Sequence, residues 1–305
     1  MYTFIVNPNS RSRRGHMIWA KIEPVLRLRQ ISYEVYFTQY QKHATEIARR
    51  ITCDGLEHIL IAVGGDGTVN EVVNGICDFR KTKFGYIPSG SGNDFAKGLS
   101  LETDPVDALE RIFNPRQILT VDLGQTVCKN KTSKYFTFSS GIGFDAAVCH
   151  QSMVSGIKSI LNRLHLGKLT YTLIAIERLC FLEPVNLALH LDDGKEFLYE
   201  RTVFAAAMNL PYEGGGFRFC PDASASDGQL DLITVSGLSR AGAVFVLLPA
   251  LFGRHTRSRH VAIHRCQRAH ISVSSPLPVH TDGEPVVAQK ELCFAIAPEQ
   301  LQVLF

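Results

Sequence analysis

Two glycine-rich segments gather polar side chains in a pattern suited to phosphate chemistry. The first lies in Ile59–Gly75, ILIAVGGDGTVNEVVNG. A strand-like apolar run ends at Val63, Gly64, Gly65 and Gly67 follow, and a helical pattern opens near Thr68. Glycines permit positive φ and let the backbone approach a ligand closely. A helix N-terminus offers unpaired N–H groups and a partial positive charge to a phosphate. Thr68 can cap that helix or bind a phosphate. Asp66 is an acid in an anion-binding setting, which is sensible mainly when Mg²⁺ stands between acid and phosphate. Asn70, Glu71 and Asn74 add polar groups just inside the helix. The plain alternative is a strand-to-helix turn whose glycines serve geometry alone, since the loop fits neither G-x-G-x-x-G nor the P-loop pattern.

The second segment is Ile87–Gly98, IPSGSGNDFAKG. Gly90 and Gly92 flank Ser91, and Asn93 or Asp94 is placed to cap the next helix. Two such turns, each leaving a parallel strand for a helix, lie at one edge of a sheet, where open α/β folds bind ligands. Together they point to a nucleotide. Further along, Asp227–Gly228 and Asp282–Gly283–Glu284 read in isolation as turns.

The elements that must position these residues change character along the chain. Tyr2–Val6, Tyr33–Thr38, His58–Val63 and Phe84–Ile87 read as strands, alternating with helical patterns at Met17–Leu28, His43–Ile51, Thr68–Cys77 and from Asn93. Pro24 is expected to kink or restart the first helix. Alternation of this kind predicts βαβ units and a parallel sheet. From about residue 120 the chain reads as many short strands, several with one polar face, interrupted by helical patterns near 145–180 and 239–252. The expectation is an α/β domain over 1–120 and a β-rich domain over 121–290.

Composition agrees with a folded protein: 45% of residues are hydrophobic and 20% charged. The net charge of +3 is too small to argue for nucleic acid. Eight cysteines without C-x-x-C spacing are expected to be reduced, mostly buried thiols, in keeping with a cytoplasmic protein. The most apolar stretch, Ala241–Gly253, falls short of the ~20 residues of a membrane span. Ser239–Phe252, apolar almost all round, reads as a core helix or as a helix lining a pocket. Residues 157–182 carry a similar apolar surface (Ile160, Leu164, Leu169, Leu173, Ile176, Leu179) that would form another wall. Arg254, Arg257, Arg259, Arg265 and Arg268 crowd Gly253–His270, which contains no acid. They form either a solvated face or a patch able to meet phosphates.

These motifs resemble those of the diacylglycerol kinase catalytic-domain family, which extends to sphingosine and ceramide kinases. The marks run in order over nearly the whole chain: Asn7–Pro8–Asn9–Ser10 after the first strand, GGDGTVNEVVNG at 64–75, PSGSGNDFA at 88–96, Val121–Asp122–Leu123–Gly124, PDASASDGQLD at 221–231, and Thr281–Asp282–Gly283–Glu284. GGDGT alone is shared with NAD kinases. The resemblance implies an α/β nucleotide-binding domain followed by a β-sandwich, with residues from about 290 to 305 returning to the first domain. It implies ATP bound by Gly64, Gly65, Asp66, Gly67, Thr68, Val69, Asn70 and Glu71, helped by Asn7, Pro8, Asn9, Ser10 and Thr38 and by Ser91, Gly92, Asn93 and Asp94. The family's usual glycine after Ser10 is Arg11 here and Gly15 comes later, so this loop is expected to be longer or differently shaped.

The resemblance also implies Mg²⁺ with ATP, and a structural Mg²⁺ in the second domain. There Asp227 would give its carboxylate and Ser224 and Gln229 their carbonyls, with Asp122 linked to the metal through water. A lipid hydroxyl must lose a proton as it attacks the γ-phosphate, so a base is needed; the candidates are Asp282, Glu284 and Asp66. The leading expectation is an ATP-dependent lipid kinase of lipid and phospholipid metabolism. It would work peripherally at the inner face of the membrane, without nucleic acid, and a homodimer is left open. The alternatives are an NAD kinase-like enzyme with a soluble substrate, and a catalytically weak lipid- or nucleotide-binding regulator.

Overall fold

The apolar runs at the start of the chain become parallel strands because each is followed by a helix that returns the chain to the same end of the sheet. In the computed structural model, which describes residues 1–128, 133–154 and 183–305, these strands are β1 (Tyr2–Val6), β2 (Tyr33–Phe37), β3 (His58–Gly64) and β4 (Thr82–Pro88). They alternate with α1 (Ser10–Leu28), α2 (His43–Thr52), α3 (Asp66–Val73) and α4 (Asp94–Gly98), and α5 (Pro105–Phe113) follows. Asp104 starts α5 by accepting from the backbone N–H groups of Val106 and Asp107, with Pro105 in the first turn. The strand order is β4-β3-β1-β2, all parallel. The chain's last strand, β14 (Glu284–Leu304), ends beside β4, where Gln302 and Val303 pair in parallel with Lys83 and Phe84. Met1–Asp122 and Pro298–Phe305 form one compact unit. Its core packs Trp19, Ile22 and Leu26 of α1 and Leu109 and Ile112 of α5 against Phe4, Ile61, Val63 and Ile87 of the strands.

Two details depart from expectation. Pro24 lies inside α1, yet the non-helical residues are Arg11, Ser12 and Arg13, with φ of 40°, 57° and 71°. Here the loop after β1 asks three consecutive L-residues to take the left-handed conformation that favours glycine, at a cost of roughly 1–2 kcal/mol each. Gly15 then lets the helix backbone pass the Asn7 carbonyl, where a Cβ would collide. The expectation of reduced thiols also fails in part. Cys53 at the end of α2 and Cys77 after α3 form a disulfide, their Cα atoms 5.2 Å apart, a separation suited to the bond. Cys128, Cys149, Cys220 and Cys266 are buried.

The second unit is Leu123–Ala297. Its described strands are the later part of β5 (Ile118–Cys128), β6 (Ser133–Phe136), β7 (Ser139–Gly143), β8 (Val185–Leu191), β9 (Glu196–Thr202), β10 (Phe204–Met208), β11 (Leu230–Val235), β12 (Val261–Cys266), β13 (Arg268–Thr281) and the earlier part of β14. The helices α6 (Phe144–Val154) and α7 (Arg240–Ala250) interrupt them. Antiparallel neighbours run β12-β11-β10-β7-β13, and β13 also pairs with β8 and β14.

A one-wet-face pattern does not hold at the centre. Phe204, Ala206 and Met208 of β10 join a core with α6 and α7, while Ala205 and Ala207 join a second core with β8 and β13. Successive residues face opposite sides, so the run FAAAM is buried on both. The apolar surface expected at 157–182 lies outside the described residues.

Candidate active site

The register of the parallel strands aligns Val6 with Val63 and Gly64 with Pro88, so the loops after β1, β3 and β4 leave the sheet at one level. From β1 the chain goes to β2 on one side and to β3 on the other, which makes this edge a topological switch point. The loops are bound to one another. Asn7 N donates to Val63 O at 2.8 Å, and Asn7 Nδ2 donates to Thr68 Oγ1 at 3.3 Å. The hydroxyls of Ser10 and Ser89 lie 2.6 Å apart. Phe95 N donates to Asp66 Oδ1 at 3.2 Å. A Cβ on Gly90 would stand 2.8 Å from Gly65 Cα, so the two glycine loops touch backbone to backbone.

This contact explains the glycines better than a single tight turn does. Gly64 is needed too, because a Cβ there would collide with the Thr68 side chain. α3 begins at Asp66 without a side-chain cap among the described residues. Its first-turn amides therefore suit an anion. Asp66 in the same turn is the acid for which a divalent cation between carboxylate and phosphate gives a favourable arrangement. The edge is thus suited to a nucleoside triphosphate, and Asp66 is the residue there that could hold an accompanying divalent cation.

The predicted nucleotide residues divide by what they touch. Asn7, Ser10, Gly64, Gly65, Asp66, Gly67 and Thr68 lie at or beside the switch point. Thr38 follows β2, with its N–H on Val6 O at 2.9 Å. Ser91 and Gly92 are partly exposed in the β4–α4 loop. Asn93 takes a left-handed conformation, and its Oδ1 accepts from Gly90 N at 2.8 Å, shaping that loop from within. Asp94 is buried and ion-paired with Lys97 at 3.0 Å. Asn70 is buried in α3, where its O and Oδ1 accept from Asn74 Nδ2.

Glu71 turns away from the phosphate role. Its two carboxylate oxygens accept from Lys42 N at 2.8 Å and Ala44 N at 3.2 Å, capping α2. Tyr86 was not foreseen: its hydroxyl lies 3.2 Å from both Gly64 O and Asn93 Oδ1, bridging the two glycine loops. Burial first, then Asp66 and Asp94, hold the Tyr86 phenol well above its usual pKa, so it stays protonated. In sequence it is one strand aromatic among several.

In the second unit, Asp282–Gly283 is a two-residue hairpin turn closed by the pair Thr281 and Glu284, with positive φ at both turn residues (50° and 79°). Primed hairpin turns require this and favour Asp-Gly. The Asp282 carboxylate is buried and takes four hydrogen bonds: Thr137 N at 2.7 Å and Thr137 Oγ1 at 3.0 Å on one oxygen, Phe138 N at 3.0 Å and Ser139 N at 3.1 Å on the other. A carboxylate so engaged is a clamp, and a weak choice for a base. Glu284 is partly exposed.

A buried cluster adjoins this turn. His280 Nε2 lies 3.1 Å from Asp145 Oδ2 and 3.2 Å from Glu213 Oε1, with Cys149 close by. Burial alone would push His280 down, while Glu213, Cys149 and Asp145 favour a protonated ring. Gly283 N, however, donates to Nδ1 at 3.1 Å, which requires that nitrogen bare. The hydrogen-bond geometry decides for a neutral ring with its proton on Nε2. The charge is relieved instead on the acid side, where burial pushes Asp145 up. With Nε2 protonated, this group is a proton-sharing cluster and a poor metal site. It forms the polar end of an apolar cavity lined by Phe144, Val148, Phe217, Phe219 and Leu247 of α7. Glu213 Oε2 there is buried with no hydrogen-bond partner among the described residues.

The residues expected to hold a structural Mg²⁺ do not fit one. Asp227 Oδ2 is ion-paired with Arg265, and Asp227 Oδ1 accepts from Gln229 N at 3.1 Å. The Ser224 hydroxyl lies 3.2 Å from that of Ser226. Asp122, in the first unit, accepts from Gln300 Nε2 at 2.7 Å.

Comparison with known proteins agrees with this geometry. Residues 1–126 match the diacylglycerol kinase catalytic domain, and residues 141–305 match the YegS C-terminal NAD kinase beta sandwich-like domain. The chain is 31% identical to a diacylglycerol kinase of Bacillus subtilis, over 92% of this chain and 88% of that one. In fold it is similar to a crystal structure of a diacylglycerol kinase from Bacillus anthracis (TM-score 0.71, 20% identity, 100% of this chain and 96% of that one). A more distant likeness is to an NAD kinase from Archaeoglobus fulgidus in complex with ATP (TM-score 0.54, 12% identity, 100% and 94% covered). With both of its units matched and a relative of this identity along nearly its whole length, the chain belongs to the diacylglycerol kinase catalytic-domain family.

Proposed function

We propose that this protein is an ATP-dependent lipid kinase that transfers the γ-phosphate to a hydroxyl of diacylglycerol or a similar lipid. The observation that carries the nucleotide half is the contact of two glycine loops at the switch point, beside an uncapped helix N-terminus. The distant NAD kinase solved with ATP supports the same reading of the fold. The lipid half is supported by family membership and by the apolar cavity with a polar end in the second unit. Acyl chains suit its walls, and hydrogen-bond donors of a glycerol headgroup suit Glu213.

The amides of Gly64–Thr68 and the Asn7 and Ser10 side chains bind and orient the phosphates. No P-loop lysine is present in this sequence, so backbone N–H groups carry that share of the electrostatics. Asp66 would hold the Mg²⁺ that accompanies the nucleotide, and the ion would neutralise phosphate charge. Glu284 takes the proton of the acceptor hydroxyl as its oxygen bonds to the γ-phosphorus and the bond from that phosphorus to the β,γ-bridging oxygen breaks, releasing ADP. Asp282 keeps the turn that carries Glu284 in place. α7 exposes Phe245 (79%) and the turn after it exposes Phe252 (73%), followed by exposed Arg254, Arg257 and Arg259, and this surface is assigned to an anionic membrane.

Transfer of radiolabelled γ-phosphate tests the reading. The protein is incubated with ATP and Mg²⁺ and with diacylglycerol, monoacylglycerol, ceramide or phosphatidylglycerol in micelles, and with NAD in a parallel reaction. Label in a lipid is expected. Label in NAD, with none in any lipid, would replace the proposal with the soluble-substrate reading.

A further inference from the structure

Arg265 belongs to the arginine-rich stretch but has no part in the membrane contact assigned to Arg254, Arg257 and Arg259. The antiparallel pairing of β11 with β12 sets Arg265 directly opposite Asp231, so the backbone itself brings the two side chains to one face. Arg265 Nε lies 3.3 Å from Asp231 Oδ1, and its terminal nitrogen is ion-paired with Asp227 Oδ2. Gln229 N occupies the other Asp227 oxygen. The Asp231 side chain is 8% exposed, so it is a group for which the nature of the neighbouring cation matters. Mg²⁺ demands a near-octahedral shell of oxygens at about 2.0–2.1 Å and gives up its waters reluctantly. A divalent ion at Asp227 would face a guanidinium that stays charged throughout the working pH range.

We infer that in this chain the Arg265 guanidinium replaces the structural divalent cation, bridging Asp227 and Asp231 so that the second unit folds without bound metal. The argument uses only the pairing of these residues and does not depend on the lipid-kinase reading.

The test uses the whole chain without nucleotide, after dialysis against a chelator. Thermal unfolding is followed in EDTA and in MgCl₂, and Mn²⁺ binding is read by electron paramagnetic resonance. For the parent, the same Tm in both buffers is expected. Any Mn²⁺ it binds should be unchanged by Asp227→Asn, as for an ion held elsewhere. Arg265→Met keeps most of the aliphatic stem but leaves two acids facing each other. Its Tm should fall in EDTA and recover with Mg²⁺, and the recovery should vanish when Asp227→Asn is added. Mg²⁺-dependent stability of the parent, with Mn²⁺ binding lost in Asp227→Asn, would overturn the inference. So would a folded Arg265→Met that Mg²⁺ fails to stabilise. If Arg265→Met does not fold, the Mn²⁺ comparison of parent and Asp227→Asn still decides.

Discussion

Asp282 and Glu284 sit two positions apart and have different surroundings. Four donors converge on Asp282, whereas Glu284 opens a strand and is partly exposed. In Asp282→Asn an NH₂ must face N–H donors, which should destabilise the second unit by ~3 kcal/mol or more. Glu284→Gln should leave the Tm within about a degree and cut turnover at least ~100-fold. Thermal unfolding beside single-turnover kinetics separates these outcomes; normal turnover in Glu284→Gln would remove it from the mechanism. From sequence the D-G-E turn was visible as a turn and as a place for acids. The division of labour was not, because the donors to Asp282 come from Thr137–Ser139, far off in the chain. The capping of α2 by Glu71 is hidden for the same reason: its partners are backbone amides at the start of another helix. His255 is a third case of distant partners, with Nε2 2.9 Å from Phe219 O and Nδ1 buried and unpartnered among the described residues. Burial pushes its pKa below the usual 6.5, only partly opposed by that bond. The folded state therefore prefers the neutral ring, and this contribution is complete above about pH 6.5 and fades as pH falls below it. His255→Gln, with an amide that still donates to Phe219 O, should unfold with a shallower loss of Tm between about pH 7 and 5 than the parent. Parallel curves would refute the assignment.

At the scale of elements, hydrophobic period was enough to find β1–β4 and the helices between them, since each parallel strand is a buried run and each helix a 3.6-residue pattern. It failed where burial is two-sided. Leu198–Met208 reads as one strand, yet β9 ends at Thr202 and β10 starts at Phe204. Arg268–Thr281 is a single strand, β13, although its register against β14 shifts between Ser272 and Val279. The glycine loops were legible as loops, but their mutual contact was not. Gly90→Ala adds a Cβ within 2.8 Å of Gly65 Cα, and backbone cannot yield as a flexible side chain does. Forcing the loops apart by a few tenths of an ångström should weaken ATP binding by about 10–100-fold with little change in Tm. Calorimetric titration with ATP and Mg²⁺ measures it, and parental affinity would show that the contact is incidental. α7 lines the cavity with Leu247 and exposes Phe245, and the turn after it exposes Phe252. Phe245→Asp with Phe252→Asp should lower flotation with anionic vesicles at least ~10-fold while leaving Tm unchanged. Undiminished flotation would place membrane contact on another surface.

For the molecule as a whole, the order of motifs along the chain foretold an α/β half and a β-rich half, because turn chemistry and strand period change near residue 120. What period could not establish is how the end of the chain contributes to the first unit. Pro298–Phe305 carries no glycine loop or other recognisable motif, yet Leu301 and Val303 are fully buried and Leu304 is 6% exposed. Gln302 and Val303 pair with β4, Gln117 and Phe305 exchange two backbone hydrogen bonds of 3.0 Å, and Gln300 holds Asp122. Burying three aliphatic side chains contributes about 5–9 kcal/mol by area alone, comparable to the net stability of a domain. A chain ending at Ala297 keeps every residue assigned to nucleotide binding. It should nevertheless lose ATP binding, because the sheet that aligns the loops after β1, β3 and β4 loses the strand beside β4. Limited proteolysis of that truncated protein should degrade residues 1–122 and spare a fragment near 123–297. Parental ATP affinity in the truncated chain would mean that the four N-terminal strands hold the switch point unaided, and that the returning strand serves the second unit's continuity alone.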